Sequence, residues 1–209
     1  MAYRRRCRKL NADLSNFDQS SEPYNQFSNK YLVRNMTGKH VAPFPVLTTE
    51  RLTLRQLRRS DAPQVVALRS NEHVNKYLDR RPSDSLTDAR NFIHTVTENG
   101  QRADSFYWAI TLSAVDNVIG TVCLFNLSEN ASTAEMGYEL LPDFQGKGFM
   151  HEALVTVIHF GFQQVRLQAI DAYTHIENHP SISVVEKLHF KRDRAASENV
   201  TLFKLTRTG

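Results

Sequence analysis

The sequence predicts one domain of the α/β (α+β) class, a mixed sheet with helices on both faces. Three observations point there. Strand and helix patterns alternate as βααβββαβαββ from Pro45 onward, an order that calls for a sheet covered by helices. At 209 residues the chain holds one well-cored domain and little more. No internal repeat appears, and the one shift in composition separates a basic extension, 1–44, from the domain, 45–209.

The elements follow from local signals. Leu52 and Leu54 alternate with Arg51, Thr53 and Arg55, the period of a half-buried strand over Thr49–Leu57. Ser60 or Asp61 is placed to cap a helix through Leu68, with Pro63 in its first turn. Ser85 and Asp88 approximate a capping box. They open a helix whose Leu86, Ala89, Phe92, Ile93 and Val96 share a face, ending at Asn99 and Gly100. Phe106–Leu112 and Val118–Phe125 read as a hairpin turning at Asp116 and Asn117. After a polar loop, Asn126–Thr133, a strand over Ala134–Leu141 stops at Pro142, which has no N–H for a ladder. Met150, Ala153, Leu154, Val157, Ile158, Gly161 and Val165 carry the spacing of a helix with one buried face. Leu167–Ile176 is a strand, and Asn178–Ser181 opens a short helix burying Ile182, Val185 and Leu188. Phe190–Ala195 and Val200–Thr206 close the sheet as an antiparallel pair.

Composition narrows the class of function. A hydrophobic fraction of 41% and a charged fraction of 23% are ordinary for a globular protein. No stretch approaches the roughly 20 apolar residues that span a bilayer, and no signal-peptide core follows the basic start. Cys7 and Cys123 do not suggest a disulfide framework, so the expected setting is reducing and cytoplasmic. Residues 1–48 hold eight Lys and Arg against three acids, leaving the remainder near neutral. The run Arg4–Lys9 is either a solvated tail or a weak contact for ribosome, nucleic acid or an anionic surface. Its composition also has the Arg-rich, acid-poor character of a transit peptide, and translation from Met36 would omit it.

The stretch Glu135–Val165 is where chemistry is expected. A strand, then Gln145-Gly-Lys-Gly-Phe-Met150, then a helix start would aim unpaired N–H groups and a helix dipole at one spot, a device for binding phosphate. It is not a mononucleotide P-loop, because Gly148 follows Lys147 and the earlier glycine is missing. Gly146 and Gly148 fit a dinucleotide fingerprint, with Asp171 near the ribose-binding place, but His151 stands where the third glycine belongs. A plain surface turn is the remaining reading.

Gln145 and Gly148 ahead of a helix, with Glu135-Met-Gly-Tyr138 before them and Glu152-Ala-Leu154 after, resemble the coenzyme A loop of the GNAT superfamily of N-acetyltransferases. Within it the stretch looks most like the ribosomal-protein N-terminal (alanine/serine) acetyltransferases. Asn178-His-Pro-Ser181 and Val184–Phe190 resemble a second family segment. Met150 and His189 stand where the family pattern has glycine or alanine and glycine. The resemblance covers about Pro45 to the end.

It implies a mostly antiparallel GNAT-like sheet with a splay between two central strands, acetyl-CoA as co-substrate, no metal, and direct acetyl transfer to a primary amine. A protein N-terminal α-amine is the leading acceptor. A small amine, amino acid or antibiotic is the alternative, and a non-catalytic acyl-CoA-binding protein the second one. The implied coenzyme site is Glu139, Leu140 and Leu141 through their backbone, then Gln145, Gly146, Lys147, Gly148, Phe149, Met150, Asn178 and Lys187. Glu135 is the first candidate base, with Glu139 second, and Ser181 the implied acid for the departing thiolate. Each glutamate also reads as a solvated strand acid, and Asn178 as a helix cap. Tyr77, Tyr107, Trp108, Phe125 and Asn126 are candidates for the acceptor slot or for packing. The expected assembly is a monomer or homodimer. The eight histidines offer no metal spacing, and no G-x-S-x-G elbow is present.

Overall fold

The computed structural model describes residues 44–78, 80, 84–128 and 132–207. The basic segment before Phe44, with the roles expected of it, lies outside them. In chain order the elements are β1 (Leu47–Thr48), β2 (Leu52–Gln56), α1 (Ala62–Ser70), α2 (Glu72–Asn75) and α3 (Leu86–Gln101). Then come β3 (Phe106–Leu112), β4 (Val115–Phe125), β5 (Thr133–Leu140), α4 (Phe149–Phe160), β6 (Ala169–His175), α5 (His179–Lys187), β7 (Lys191–Ser197) and β8 (Val200–Thr206). The strands form one sheet in the order β1-β2-β3-β4-β5-β6-β8-β7.

Every pairing is antiparallel except that of β5 with β6. Those two strands share only the rungs Thr133↔Ala169, Ala134↔Ile170 and Glu135↔Asp171. β5 remains paired to β4 as far as Leu140, and β6 to β8 as far as His175. They therefore part after Glu135, and the expected splay lies there.

Alternation along the central strands sends side chains to two separate cores. On one face Trp108, Ile110, Val122, Leu124, Met136 and Leu140 pack on α4 (Met150, Ala153, Leu154, Val157, Ile158), on Val185 of α5 and on Leu188 just after it. Burial of one such large side chain contributes about 1.5–3 kcal/mol, so α4 is anchored chiefly by its apolar stripe. On the other face Ala109 and Val118 meet Leu57, Ala62, Val65 and Leu68 from the α1 region and Ala89 and Ile93 from α3.

Several local expectations change. The β3–β4 hairpin turns at Ser113 and Ala114, because Leu112 pairs with Val115, so Asp116 and Asn117 belong to β4. Asp116 is held there by cations: its carboxylate meets Arg55 Nε and Arg58 Nη1, both at 2.6 Å. Asp61 begins α1 without a side-chain cap, its carboxylate being taken by Arg55 at 2.8 and 2.9 Å and by the Arg58 N–H at 2.7 Å. Both members of that Arg55–Asp61 pair are buried. The long helix ends its regular part at Phe160 and continues as a single π turn over Gly161–Val165. Leu86, expected on the buried face of α3, is 46% exposed at the first turn, where the helix extends beyond the core that holds Ala89 and Ile93. Ser85 caps α3 by accepting from the Asp88 N–H at 3.0 Å, and His189 adopts φ +64° where α5 ends.

Candidate active site

The loop between β5 and α4 is built from two left-handed residues. Gly146 has φ +70° and Gly148 φ +80°, a region in which a side chain costs about 1–2 kcal/mol. A Cβ on Gly146 would meet nothing within 4 Å, so the outer side of the loop is open. The loop's internal bonds stop at Gln145 N–H to Pro142 O (3.0 Å) and resume at Glu152 N–H to Gly148 O (3.1 Å). Between them the N–H groups of Gly146, Lys147, Gly148, Phe149, Met150 and His151 have no acceptor among the described residues. These amides open α4 at the positive end of its dipole, and their donor set fits a diphosphate.

Neighbouring side chains hold that loop. Gln145 Nε2 turns back to Leu140 O at 2.8 Å, tying the loop to the end of β5. Arg51 lies over the Phe149 ring at 4.5 Å, donates to Lys147 O at 3.0 Å and pairs with Glu152 at 2.6 Å. Glu152 also accepts from the Arg51 N–H and from Thr49 Oγ1. Met150 is 8% exposed and packs in the core, so its side chain leaves the open face of the loop clear. Lys147 is exposed, its Nζ 5.8 Å from the Phe144 ring centre. Lys187 ends α5 in solvent. Burial, helped by the Lys187 charge, holds the His151 imidazole below its ordinary value, against the opposing pull of Glu152.

From Glu135 onward β5 presents different chemistry on its two faces. Toward α4 and α5, the Tyr138 hydroxyl meets Ser181 Oγ at 2.7 Å. Asn178 Oδ1 accepts from the Ser181 N–H at 3.3 Å and so caps α5. Burial pushes the Tyr138 phenol up to about 12, the Ser181 hydrogen bond opposing it. Toward α1 and α3, Glu135 Oε1 accepts from Asn126 Nδ2 at 3.1 Å, and Phe125 stands opposite it on β4. Four residues on, buried Glu139 is gripped by Arg80 Nη2 at 2.6 Å and by Thr121 Oγ1 at 3.0 Å. The Tyr107 hydroxyl lies 3.2 Å from Thr121 Oγ1, and burial, then the Glu139 charge, raises that phenol well above its ordinary value. Tyr77 stacks on His175 at 5.1 Å.

Not every expected residue joins these groups. Trp108 lies wholly in the α4-side core, stacked on Phe106, with Nε1 donating to Pro45 O at 2.9 Å. Alternation puts it on the face opposite Tyr107, away from Glu135 and Glu139. The Leu141 N–H is also committed, to Ile119 O at 2.9 Å. Three participants went unnoticed in the sequence. Strand alternation would have placed Tyr138 on the face opposite Glu135. Arg51 and Arg80 act through partners far along the chain, and no local pattern marks such contacts.

Comparison with known proteins agrees with this architecture. Residues 51–191 match the family model described as the acetyltransferase (GNAT) domain. An uncharacterized N-acetyltransferase p20 of Bacillus licheniformis is 34% identical over 148 residues, covering 70% of this chain and 83% of that protein. A putative ribosomal-protein-serine acetyltransferase from Vibrio cholerae superposes with a TM-score of 0.70 at 21% identity, over 79% of this chain and 99% of that one. A microcin C7 self-immunity acetyltransferase, solved with acetyl-CoA and AMP, superposes with a TM-score of 0.68 at 18% identity, over 76% of this chain and 94% of that one. The chain belongs to the GNAT acetyltransferase family and is an N-acetyltransferase.

Proposed function

We propose that the protein transfers the acetyl group of acetyl-CoA directly to a primary amine, a protein N-terminal α-amine being the acceptor class. The observation that most supports this is the run of unclaimed amides from Gly146 to His151, set beside the gap between β5 and β6. The coenzyme supplies an activated acetyl thioester when bound. The backbone of Gln145–Met150 receives its diphosphate, with Lys147 and Lys187 adding positive charge at the rim. Glu139 and Leu140 line the gap through their backbone, where an N–H directed at the thioester oxygen stabilises developing charge. Asn178 lies against the pantetheine arm while it orders the start of α5, and Ser181 supplies a proton to the departing thiolate.

On the other face, Glu135 removes the acceptor's proton, directly or through a water. Glu139 is the second candidate, but its two oxygens are already engaged by Arg80 and Thr121. An α-amine, with an ordinary pKa of about 7.7–8.0, is partly neutral at pH 7 and asks less of this base than a lysine at about 10.4. Tyr77, Phe125, Asn126 and the Tyr107 edge form the acceptor wall. The resemblance around Glu135–Leu154 and Asn178–Phe190 supports a cytoplasmic enzyme of ribosomal-protein type, with the run Arg4–Lys9 as a weak contact to ribosome or nucleic acid.

The test is an assay of free coenzyme A thiol released over a panel of N-terminal peptides, polyamines, amino acids and aminoglycosides. Release with peptides is expected. Release with small amines alone would replace the acceptor class, and none at all would remove it.

A further inference from the structure

We infer that Tyr138 is a positioning residue, holding the Ser181 hydroxyl so that its proton points into the gap between β5 and β6. This rests on the reading of Ser181 as the acid that meets the departing thiolate.

Tyr138 lies within the part of β5 that has lost its β6 partner, and alternation sends its ring to the side of α4 and α5. Its hydroxyl meets Ser181 twice, at 2.7 Å to Oγ and 3.4 Å to the carbonyl oxygen. The Ser181 N–H is held by Asn178, so the serine backbone is fixed from the other direction. A buried phenol seeks an acceptor, and among the described residues both groups it meets belong to Ser181. A serine hydroxyl carries one proton and two lone pairs. When the phenol donates to one lone pair, the serine proton cannot lie along that bond and is left for the gap. Burial keeps the phenol protonated throughout the neutral range, so it remains a donor.

The proton count closes. The Ser181 O–H bond breaks as an S–H bond forms on the leaving group. The Tyr138 hydrogen bond stabilises the charge left on Oγ, and the proton shed by the acceptor amine restores the hydroxyl through solvent. The opposite polarity, with Ser181 donating to Tyr138, would turn the serine proton away from the gap. The two arrangements predict different kinetics.

The experiment compares Tyr138→Phe, Ser181→Ala and the double variant by steady-state kinetics with acetyl-CoA and an accepted amine, thermal melts confirming that each is folded. Loss of a positioned acid costs about 10²-fold or more, so Ser181→Ala is expected to lower kcat by roughly 100-fold. Tyr138→Phe should lower kcat about tenfold with KM for acetyl-CoA unchanged, and the double variant should be no slower than Ser181→Ala. A Tyr138→Phe enzyme with wild-type kcat, or losses that multiply in the double variant, would overturn the inference while leaving the role of Ser181 intact. Full activity in Ser181→Ala would remove that role and the inference with it. Should Tyr138→Phe not fold, Tyr138→Leu is held to the same criteria.

Discussion

Replacing Gly148 with aspartate separates the proposed phosphate-binding role of the loop from its structural role. Gly148 precedes α4 at φ +80° and ψ 1°, and a Cβ there would find only Arg51 Nη2, at 3.5 Å. Space is therefore available, and the direct penalty is the left-handed conformation, about 1–2 kcal/mol. A carboxylate at a helix N-terminus returns about 0.3–1 kcal/mol through the dipole. The net loss is about 1 kcal/mol, a fall in Tm of about 2–4 °C for a domain of this size. Binding responds differently. Acetyl-CoA at 100 times its Kd stabilises the wild type by about 2.7 kcal/mol, raising Tm by about 5–10 °C. Gly148→Asp sets a negative charge beside the amides from Gly146 to His151, so that rise should vanish. Gly148→Ala carries similar strain without the charge and should keep most of it. The assay is a thermal melt of all three proteins with and without acetyl-CoA. A wild-type rise in Gly148→Asp would refute the placement of the diphosphate.

Other outcomes follow from the same geometry. Glu135→Gln keeps the shape of the side chain and its acceptor for Asn126, so kcat should fall at least 100-fold while coenzyme affinity, read by titration, stays near wild type. His189→Gly relieves a left-handed residue where α5 ends, offset in part by added chain entropy, and should raise stability by about 0.5–1 kcal/mol in denaturant titration. Burial lowers the imidazole pKa of both His151 and His159. The unfolded chain therefore binds more protons than the folded one below about pH 6.5. This contribution to stability is complete above that pH and declines as pH falls toward the lowered folded values. A pH series of melts should show the decline, and His151→Gln with His159→Gln should flatten it.

The sequence made one kind of feature visible. The apolar stripe of α4, the two glycines, Pro142 and the Asn178 cap are all set by neighbours in the chain, and their placement could be read from spacing. Met150 could likewise be expected in the core from its phase with Ala153 and Leu154. What escaped was decided by distant partners. Asp61 and Asp116 carried local cap and turn signals, but Arg55, reaching both carboxylates, ties them to β2 instead, a contact that local spacing does not reveal. Trp108 suited an acceptor slot by residue type, and only its phase along β3 sends it to the opposite core. Glu139 looked like a second Glu135 until Arg80, arriving from the segment after α2, claimed its carboxylate. The Tyr138–Ser181 bond links β5 to α5 across the splay, a contact no periodicity encodes.

The most direct test of the coenzyme seat is a crystal structure of the protein grown with acetyl-CoA. The account predicts the diphosphate within hydrogen-bonding distance of the Gly146–His151 amides, and the pantetheine arm between Met136–Leu140 of β5 and Ala172–His175 of β6. A coenzyme bound elsewhere, with those amides facing only water, would contradict it.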